Sequence, residues 1–422
     1  MTALQLLGWI AAALLLQLVA GIAWAVVRRP AAPARPEPAR GREGAARGGA
    51  AWSGWREFRV TRREYEDAAC TQCSFHLEPV DGQPLPPFRP GQFLTFSLDV
   101  PRAADEGDRV GVRAVTRCYS LSDRPDPAHY RVTIKRVPAP ADRPGVAPGL
   151  ASGHFHDRVQ AGDVLRVKAP AGHFVIDDDA SVPAVLIAGG IGITPMMSML
   201  RGSLAEQPAR RLHLYYGLRS GREHAFKAQL EALAAAHAGL ELHVVYSRPA
   251  PDDRPGRDYR HAGHVDVELL RRTLPHGRHR FHVCGPPAMM GTLVPALAAW
   301  GVPADDLHFE AFGPASVRLP GASASSAEPP GAAAEAAAEV EVRFQRSGRT
   351  LAWDGRDASL LDFAERHGIA VESGCRSGGC GSCETRLLEG AVHYEHAPDH
   401  DVAPGHCLLC VGRPAGALVL EA

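Results

Sequence analysis

The 422-residue sequence lacks a charge bias, an internal repeat and an even number of cysteines. Its 46 Lys and Arg residues nearly balance 47 Asp and Glu residues, so nothing in the composition indicates a nucleic-acid-binding protein. Nine cysteines cannot all pair, and four of them fall in one motif, which argues for a reducing compartment rather than a disulfide framework. At roughly 100–200 residues per domain, the length predicts about three domains.

Long apolar runs are also scarce, with one exception at the start of the chain. Residues 3–27 contain no charge, and at about 1.5 Å per residue they can span a bilayer core of roughly 30 Å. Arginines follow the run, and the positive-inside rule then places the rest of the chain in the cytoplasm. A cleaved signal peptide is the alternative, although no Lys or Arg precedes the run. We therefore expect a single-pass inner-membrane protein with cytoplasmic catalytic domains.

The most specific motif is a set of cysteines near the C-terminus. The chain reads Cys375-Arg-Ser-Gly-Gly-Cys380-Gly-Ser-Cys383, and Cys410 follows 27 positions after Cys383. This is the C-x4-C-x2-C…C spacing of a plant-type [2Fe–2S] cluster. The glycines around the ligands let three thiolates converge within one loop. The motif therefore predicts a one-electron carrier.

A zinc site is the alternative, with Cys380 and Cys383 as one C-x2-C knuckle and Cys407 and Cys410 as a second. It would leave Cys375 without a role. The segment from residue 340 to the end resembles plant-type ferredoxin domains, and that resemblance favours Cys410 as the fourth ligand and Cys407 as a core position. The histidines between Cys383 and Cys410 are expected to be solvated.

The rest of the chain shows two successive patterns. Short β segments separated by turn residues run from about residue 55 to 170, which predicts an antiparallel barrel. From residue 182 onward, apolar runs such as 184–188 alternate with helical patterns, which predicts a parallel α/β sheet. Residues 319–338 are rich in Ala, Ser, Pro, Gly and Glu, a composition that predicts a flexible linker.

Five short motifs follow one another along these two regions. They are Arg117-Cys-Tyr119-Ser120-Leu-Ser122, Gly149-Leu-Ala-Ser152, Gly189-Gly190-Ile-Gly192-Ile-Thr194-Pro195, Cys284-Gly285-Pro286-Pro287 and Glu310-Ala-Phe312-Gly-Pro. Each motif is weak alone. In this order, over about residues 55–316, they resemble the ferredoxin–NADP reductase superfamily, and above all the reductase half of bacterial flavohaemoglobins.

That resemblance implies a role for each motif residue on the flavin side. FAD is the expected flavin, and FMN is the less favoured choice. Arg117 would bind a flavin phosphate, Tyr119 would pack on the isoalloxazine, and Ser120 would bond near N5. The segment from Gly149 to Ser152 would line the pyrophosphate, and Phe312 would cover the other flavin face.

On the nicotinamide side, the resemblance implies that the glycine loop and helix N-terminus receive the pyrophosphate of NADH or NADPH. Thr194 and Pro195 would lie beside the nicotinamide, with Gly285 and Pro286 in the facing loop. Cys284 and Glu310 would stand near the reacting atoms. The loop is not the G-x-G-x-x-G fingerprint, so a Rossmann dehydrogenase is not indicated. Arg219 and Arg222 leave the choice of nucleotide open.

Together these patterns predict a multidomain chain. The expected parts are an N-terminal transmembrane anchor, a flexible tether, an antiparallel β-barrel flavin domain, an α/β parallel-sheet NAD(P) domain, a linker and a β-grasp [2Fe–2S] ferredoxin domain. Their expected bounds are 1–29, 30–52, 53–177, 178–317, 318–338 and 339–422.

The expected function is electron transfer from NAD(P)H through FAD and [2Fe–2S] to a protein acceptor. An oxygenase, a cytochrome or a hybrid-cluster protein would fit. The order of domains resembles phthalate dioxygenase reductases. The alternatives are an electron-input subunit of a membrane complex, which the apolar run supports, and a redox sensor, which the intact flavin and nicotinamide motifs disfavour.

Overall fold

The structure is a computed structural model, and it describes residues 51–52, 54–101, 112–139, 148–311, 340–376, 378–395, 398, 400 and 402–422. The predicted anchor, the tether up to residue 50, the linker and Phe312 lie outside the described residues. Within the described ranges, no helix combines the length and the apolar character needed to cross a membrane. On this finding the predicted inner-membrane location is corrected, while the predicted anchor itself, residues 1–29, stays outside what the structure describes.

The first domain is a six-stranded antiparallel barrel. Its strands are β1 (Arg56–Tyr65), β2 (Gln72–Pro79), β3 (Phe93–Pro101), β4 (Val112–Ser120), β5 (Tyr130–Lys135) and β6 (Val164–Val167), in the order β4-β3-β6-β1-β2-β5. Leu121, directly after β4, forms a bridge with Val132 of β5, so the first and last strands of the sheet meet. Helix α1 (Leu150–Asp157) inserts Phe155 against Phe75 and Phe96 in the barrel core.

The second domain is a parallel sheet with helices on both faces. Its strands are β7 (Ala184–Gly189), β8 (Leu212–Leu218), β9 (Leu240–Tyr246), β10 (His261–Ala262), β11 (Arg280–Gly285) and β12 (Leu307–Ala311), in the order β10-β9-β8-β7-β11-β12. Its helices are α2 (Ile193–Glu206), α3 (Lys227–Ala236), α4 (Val267–Thr273) and α5 (Pro287–Ala299). Alternate residues of β7 enter two separate cores, one under α2 and α3 and one under α4 and α5. The run at 184–188 is apolar throughout because both faces of its strand are covered.

The C-terminal domain is a mixed five-stranded sheet that packs around one helix. Its elements are β13 (Val340–Phe344), β14 (Arg349–Trp353), α6 (Leu360–Arg366), β15 (Glu384–Glu389), β16 (Val392–Tyr394), β17 (His406–Leu408), β18 (Gly412–Pro414) and β19 (Leu418–Leu420). The sheet order is β14-β13-β19-β15-β17, and β16 pairs with β18. Ser359 caps α6 by accepting a hydrogen bond from the Asp362 amide at 3.2 Å, which fixes the helix start. The loop between α6 and β15 contains Cys375, Cys380 and Cys383, and we call it the cluster loop.

Candidate functional site

A cavity of about 580 Å³ lies where the three folded domains meet. Its lining combines barrel residues around Tyr119 and Gly149, nucleotide-domain residues Thr194 and Glu310, and the cluster-loop residue Cys375. A second hollow, of about 680 Å³, is lined by polar residues such as Arg62 and holds none of the predicted site residues. The predicted flavin, nicotinamide and cluster motifs therefore converge on one cavity.

The barrel wall of this cavity is the end of β4. Tyr119 packs edge-on against Phe155, with ring centroids 5.2 Å apart, and burial raises the pKa of its hydroxyl. Ser120 is buried and lies opposite Phe93 in the strand register. Burial, together with the nearby charge of Arg376, lowers the pKa of Arg117. Two guanidinium groups that face one cavity suit an anionic ligand.

The turn before α1 forms the adjoining wall. The Gly149 amide donates to the Val137 carbonyl at 2.9 Å, and Ser152 Oγ donates to the Gly149 carbonyl at 3.0 Å. A Cβ at Gly149 would lie 2.7 Å from Ser152 Oγ and 2.8 Å from Val137 Cβ, so only glycine fits. The first turn of α1 borders the cavity. Because the amides at a helix N-terminus bind phosphate well, this turn suits a phosphate group.

The glycine loop after β7 closes the nucleotide side, but its glycines serve different purposes. A Cβ at Gly192 would lie 2.1 Å from the Cys284 carbonyl oxygen, and one at Gly189 would lie 2.5 Å from Met289 Sδ. These two glycines let the loop pack on the loop after β11. Gly190 has φ +52°, and a Cβ added there would have no atom within 4 Å, so it is the open position toward a ligand. The sequence alone predicts one shared role for all three, approach to the pyrophosphate.

Behind this loop, Thr194 Oγ1 donates to the Ile191 carbonyl at 3.0 Å, which anchors the start of α2. Pro195 is buried in the same first turn. On the facing loop, a Cβ at Gly285 would lie 2.8 Å from Met289 Sδ, and Pro286 is the N-cap of α5. The loop after β7 and the loop after β11 therefore pack closely against each other, because glycines let their backbones approach.

Cys284 and Glu310 lie side by side in the register of β11 and β12. Cys284 is fully buried, and burial, followed by the charge of Glu310, raises the pKa of its thiol. A thiol held protonated in this way does not act as a nucleophile. Glu310 lines the cavity together with Thr194. Glu310 therefore forms one edge of the nucleotide side of the cavity, and Cys284 packs behind it on the neighbouring strand.

The cluster loop and the turn after β17 bring four cysteines together in two pairs. The Cys375 amide donates to Cys380 Sγ at 3.2 Å, and the Cys410 amide donates to Cys383 Sγ at 3.4 Å. Two more amides, of Gly379 and Ser382, point at the sulfurs of Cys375 and Cys380. Two thiolates for each of two irons, with amides directed at the sulfurs, is the donor set that a [2Fe–2S] cluster requires.

Glycine is also required inside this loop. A Cβ at Gly374 would lie 2.7 Å from Cys380 Sγ, and one at Gly381 would lie 2.4 Å from the His400 ring. The zinc alternative needs Cys407 and Cys410 together in one turn. Instead, Cys407 belongs to strand β17, where it pairs with Thr385 of β15. Burial raises the pKa of the Cys407 thiol to about 12. These features fit the cluster better than zinc.

Three site residues are not predicted from the sequence. Cys118 of β4 contacts the cluster loop, Arg376 lines the cavity, and His400 bonds Glu384 at 3.0 Å instead of being solvated. Arg376 adopts φ +59° and pairs with Glu365. A positively charged residue inside a cysteine motif is the only local signal, and it identifies neither the φ value nor the partner.

Comparison with known proteins supports the same division of the chain. Residues 186–294 match the model of the oxidoreductase NAD-binding domain, and residues 342–415 match that of the 2Fe-2S iron-sulfur cluster binding domain. The flavohemoprotein of Rhizobium meliloti (strain 1021) is 36% identical over 263 residues, which cover 62% of each protein. That of Chromobacterium violaceum is 37% identical over 262 residues, covering 62% of this chain and 61% of the relative. The chain thus spans less than two thirds of these curated relatives.

Among solved structures, the flavohaemoglobin-like FAD/NAD-binding domain of nitric oxide dioxygenase from Vibrio cholerae is 32% identical, with a TM-score of 0.51. The match covers 61% of this chain and 98% of that one. Phthalate dioxygenase reductase, described as a modular structure for electron transfer from pyridine nucleotides to [2Fe–2S], is 28% identical with a TM-score of 0.51. The match covers 87% of this chain and 98% of the other.

These matches extend the evidence from motifs to whole domains. The cofactors of the family are FAD, a nicotinamide nucleotide and a [2Fe–2S] cluster. The amides, cations and glycine turns described above fit those groups. The chain belongs to the ferredoxin–NADP reductase superfamily of NAD(P)H oxidoreductases, as a flavohaemoglobin-type FAD/NAD module followed by a 2Fe-2S ferredoxin domain.

Proposed function

We propose that the chain is a reductase that takes electrons from NAD(P)H and delivers them to a separate protein acceptor. The observation that supports this most is the single cavity shared by the predicted flavin, nicotinamide and cluster residues. When bound, FAD accepts a hydride as an electron pair, and the [2Fe–2S] centre passes electrons one at a time. The protein supplies position, exclusion of water and electrostatics.

On the flavin side, Arg117 and the first turn of α1 hold the phosphates, and Tyr119 provides an aromatic surface for the ring system. Ser120, buried at the end of β4, offers a hydroxyl to a flavin ring atom. Phe93 and Ile134 add apolar walls to the cavity, which exclude water from the reacting centre.

On the nicotinamide side, Gly190 lets the backbone approach the nucleotide pyrophosphate, and Thr194 fixes the start of the helix that receives it. The Gly285–Pro286 turn holds the facing wall. Cys284 fills the end of β11 with a protonated thiol, and its backbone carbonyl packs against Gly192 of the glycine loop. Glu310 places a carboxylate at the same edge, where it holds or releases a proton during transfer.

At the exit of the cavity, Cys375, Cys380, Cys383 and Cys410 hold the cluster, and Gly374 and Cys375 face the flavin residues. Phthalate dioxygenase reductase and a self-sufficient cytochrome P450 monooxygenase resemble this chain over 87% of its length. The P450 match is 26% identical and has a TM-score of 0.55, covering 41% of that protein. These two likenesses support an oxygenase or a cytochrome as the acceptor, and a hybrid-cluster protein is proposed from the sequence resemblance alone.

Anaerobic titration of the full chain with NADH, and separately with NADPH, tests this function. Visible spectra follow the flavin, and low-temperature EPR follows the cluster. We expect substoichiometric nucleotide to bleach the flavin and produce a rhombic [2Fe–2S] signal. A chain that binds FAD but is reduced by neither nucleotide would refute the proposed reductase activity.

A further inference from the structure

Two histidines and a glutamate cluster on the parallel sheet, away from the cavity. His213 is the second residue of β8, and Glu241 and His243 are the second and fourth residues of β9. The parallel register places His213 directly beside Glu241 and Tyr215 beside His243. All three side chains therefore project from one face of the sheet at its amino edge. The flavin and nicotinamide residues lie at the carboxyl edge.

The potential ligand atoms are spaced as a metal ion requires. Glu241 Oε2 lies 3.7 Å from His213 Nδ1 and 3.5 Å from His243 Nε2, and the three ligand atoms lie within 4.8 Å of one another. Zinc bonds to nitrogen and oxygen measure about 2.0–2.1 Å, so ligands at tetrahedral angles stand roughly 3.4 Å apart. The two separations from Glu241 lie at or beyond the limit of a direct hydrogen bond and close to that spacing.

The two histidine nitrogens that would bind the metal have no hydrogen-bond partner in the described part of the chain. His213 and His243 are each 1% exposed, and neither nitrogen of His213 nor Nε2 of His243 has a hydrogen-bond partner there. A buried polar atom left unpaired is costly, so such atoms normally mark a missing ligand or water. Glu241 is partly exposed, which gives an ion a route from solvent.

The second ring nitrogen of His243 forms a hydrogen bond, as the non-ligating nitrogen of a metal-bound histidine usually does. Its Nδ1 lies 3.2 Å from Nε2 of His261, which fixes the ring and leaves Nε2 directed at Glu241. Ligating histidines generally bond a second group through their other nitrogen in this way. Tyr215 stacks on the same ring at 4.4 Å and 6°, which holds its plane.

We propose that His213, Glu241 and His243 bind a divalent transition-metal ion of the zinc type. The ligand atoms are Nδ1 of His213, Oε2 of Glu241 and Nε2 of His243, and a water molecule completes the coordination. The ion joins β8 to β9 at the edge of the sheet remote from the redox cavity. Its function is to stabilise the nucleotide domain, independently of the electron transfer proposed above.

The test uses the full chain with its iron–sulfur cluster loaded, so that the cluster cysteines are occupied. Zinc is added, excess ion is removed by gel filtration, and bound zinc is counted by mass spectrometry. Zinc K-edge X-ray absorption then reports the ligands. Glu241→Gln and His213→Gln are the variants. His308→Gln is the matched control, because His308 is a half-buried histidine of the same domain that stacks on His282.

We expect about one zinc per chain with a first shell of nitrogen and oxygen only, and a rise in melting temperature on zinc addition. Both ligand variants should weaken zinc binding at least tenfold and abolish that rise, while His308→Gln retains both. Glu241→Gln alters a partly exposed side chain, so it remains folded even where His213→Gln does not. Absence of bound zinc, a sulfur shell at about 2.3 Å, or wild-type affinity in Glu241→Gln would overturn the proposal.

Discussion

The sulfur of Cys118, on strand β4 of the barrel, lies beside the sulfur of Cys380 in the cluster loop, and this neighbour raises the pKa of the Cys380 thiol. Both sulfurs approach Gly374, where an added Cβ would lie 2.7 Å from Cys380 Sγ and 3.2 Å from Cys118 Sγ. Thr95 Oγ1 lies 3.3 Å from the Cys118 sulfur and holds it in place. A residue between the flavin-site residues Arg117 and Tyr119 thus contacts a predicted iron ligand directly.

This contact makes the cluster potential depend on a barrel residue. With Cys380 bound to iron as a thiolate, the Cys118 S–H donates to it and stabilises the reduced, more negative cluster. Cys118→Ala should therefore lower the potential by up to roughly 60 mV, which is the value of one hydrogen bond for a one-electron couple. An EPR-monitored redox titration measures it. Cys118→Ser keeps a donor and should lie closer to wild type, whereas equal potentials for Ala and wild type would contradict the assignment.

The fourth cluster ligand can be tested with two neighbouring cysteines. Cys410→Ser should lose the rhombic EPR signal and most of the bound iron, because the iron that Cys383 binds then lacks its second thiolate ligand. Cys407→Ser is the matched control and should retain its iron while losing about 1–3 kcal/mol of stability, since it buries a hydroxyl in β17. Iron assay and chemical unfolding separate the two effects. Loss of the cluster in Cys407→Ser alone would assign the ligand to that residue.

The two kinds of glycine in the loop after β7 predict different phenotypes. Gly192→Ala would force a Cβ to within 2.1 Å of the Cys284 carbonyl oxygen, and it should cost about 3 kcal/mol or more of stability. In Gly190→Ala the added methyl group contacts no protein atom, and the positive φ alone should reduce stability by about 1–2 kcal/mol. The methyl group should nevertheless raise the nucleotide KM, because it occupies space that the nucleotide needs. Melting curves and steady-state kinetics on both variants distinguish packing from binding. The same KM and stability changes in both would contradict this division.

Nucleotide choice is expected to depend on two exposed arginines after β8. Arg219 follows the strand directly and Arg222 lies in the next turn, and among the described residues neither side chain forms an ion pair. The end of the second strand is where the adenosine ribose is read in doubly wound sheets. Arg219→Gln combined with Arg222→Gln should raise the KM for NADPH about tenfold, the value of a lost phosphate contact, and leave that for NADH nearly unchanged. Equal effects on both nucleotides would show that the arginines do not contact the 2′-phosphate.

The elements that could be predicted from sequence are those with a local pattern. The run at 184–188 is apolar on both faces because its strand is buried on both faces, and the cysteine spacing is dictated by two irons in one loop. The contact between Cys118 and Cys380 could not be predicted, because it joins residues of separate domains and depends on how those domains dock. The cluster of His213, Glu241 and His243 could not be predicted either, because it depends on the register in which β8 pairs with β9.

The predicted roles of the site residues stay predictions, but their placement is now specific. Gly189, Gly190 and Gly192 are equivalent in the sequence, since periodicity does not show which Cβ would meet backbone. Their difference arises from the loop after β11, almost a hundred positions away. The predicted membrane location depended on an uncharged run and on the arginines after it, and the described helices do not support it.

Acid should destabilise the nucleotide domain through a buried histidine. His282 is fully buried between Phe174 and His308, and burial, together with the charge of His308, lowers its pKa to about 3. In the unfolded chain this histidine titrates near its ordinary value of about 6.5. Between these two values the unfolded state binds the extra proton, so stability is full above pH 6.5 and falls as the pH drops toward 3, by about 1.4 kcal/mol per pH unit.

Urea unfolding at pH 7 and pH 5 of wild type and His282→Phe measures this contribution. Phenylalanine keeps an aromatic ring against His308 and removes two buried nitrogens that have no hydrogen-bond partner in the described structure. Wild type should lose about 2 kcal/mol more than the variant between the two pH values. His224→Gln, whose histidine pKa is lowered to about 4 by burial, should reduce the acid sensitivity in the same direction. Identical losses in wild type and His282→Phe would show that His282 titrates with its ordinary pKa in the folded protein.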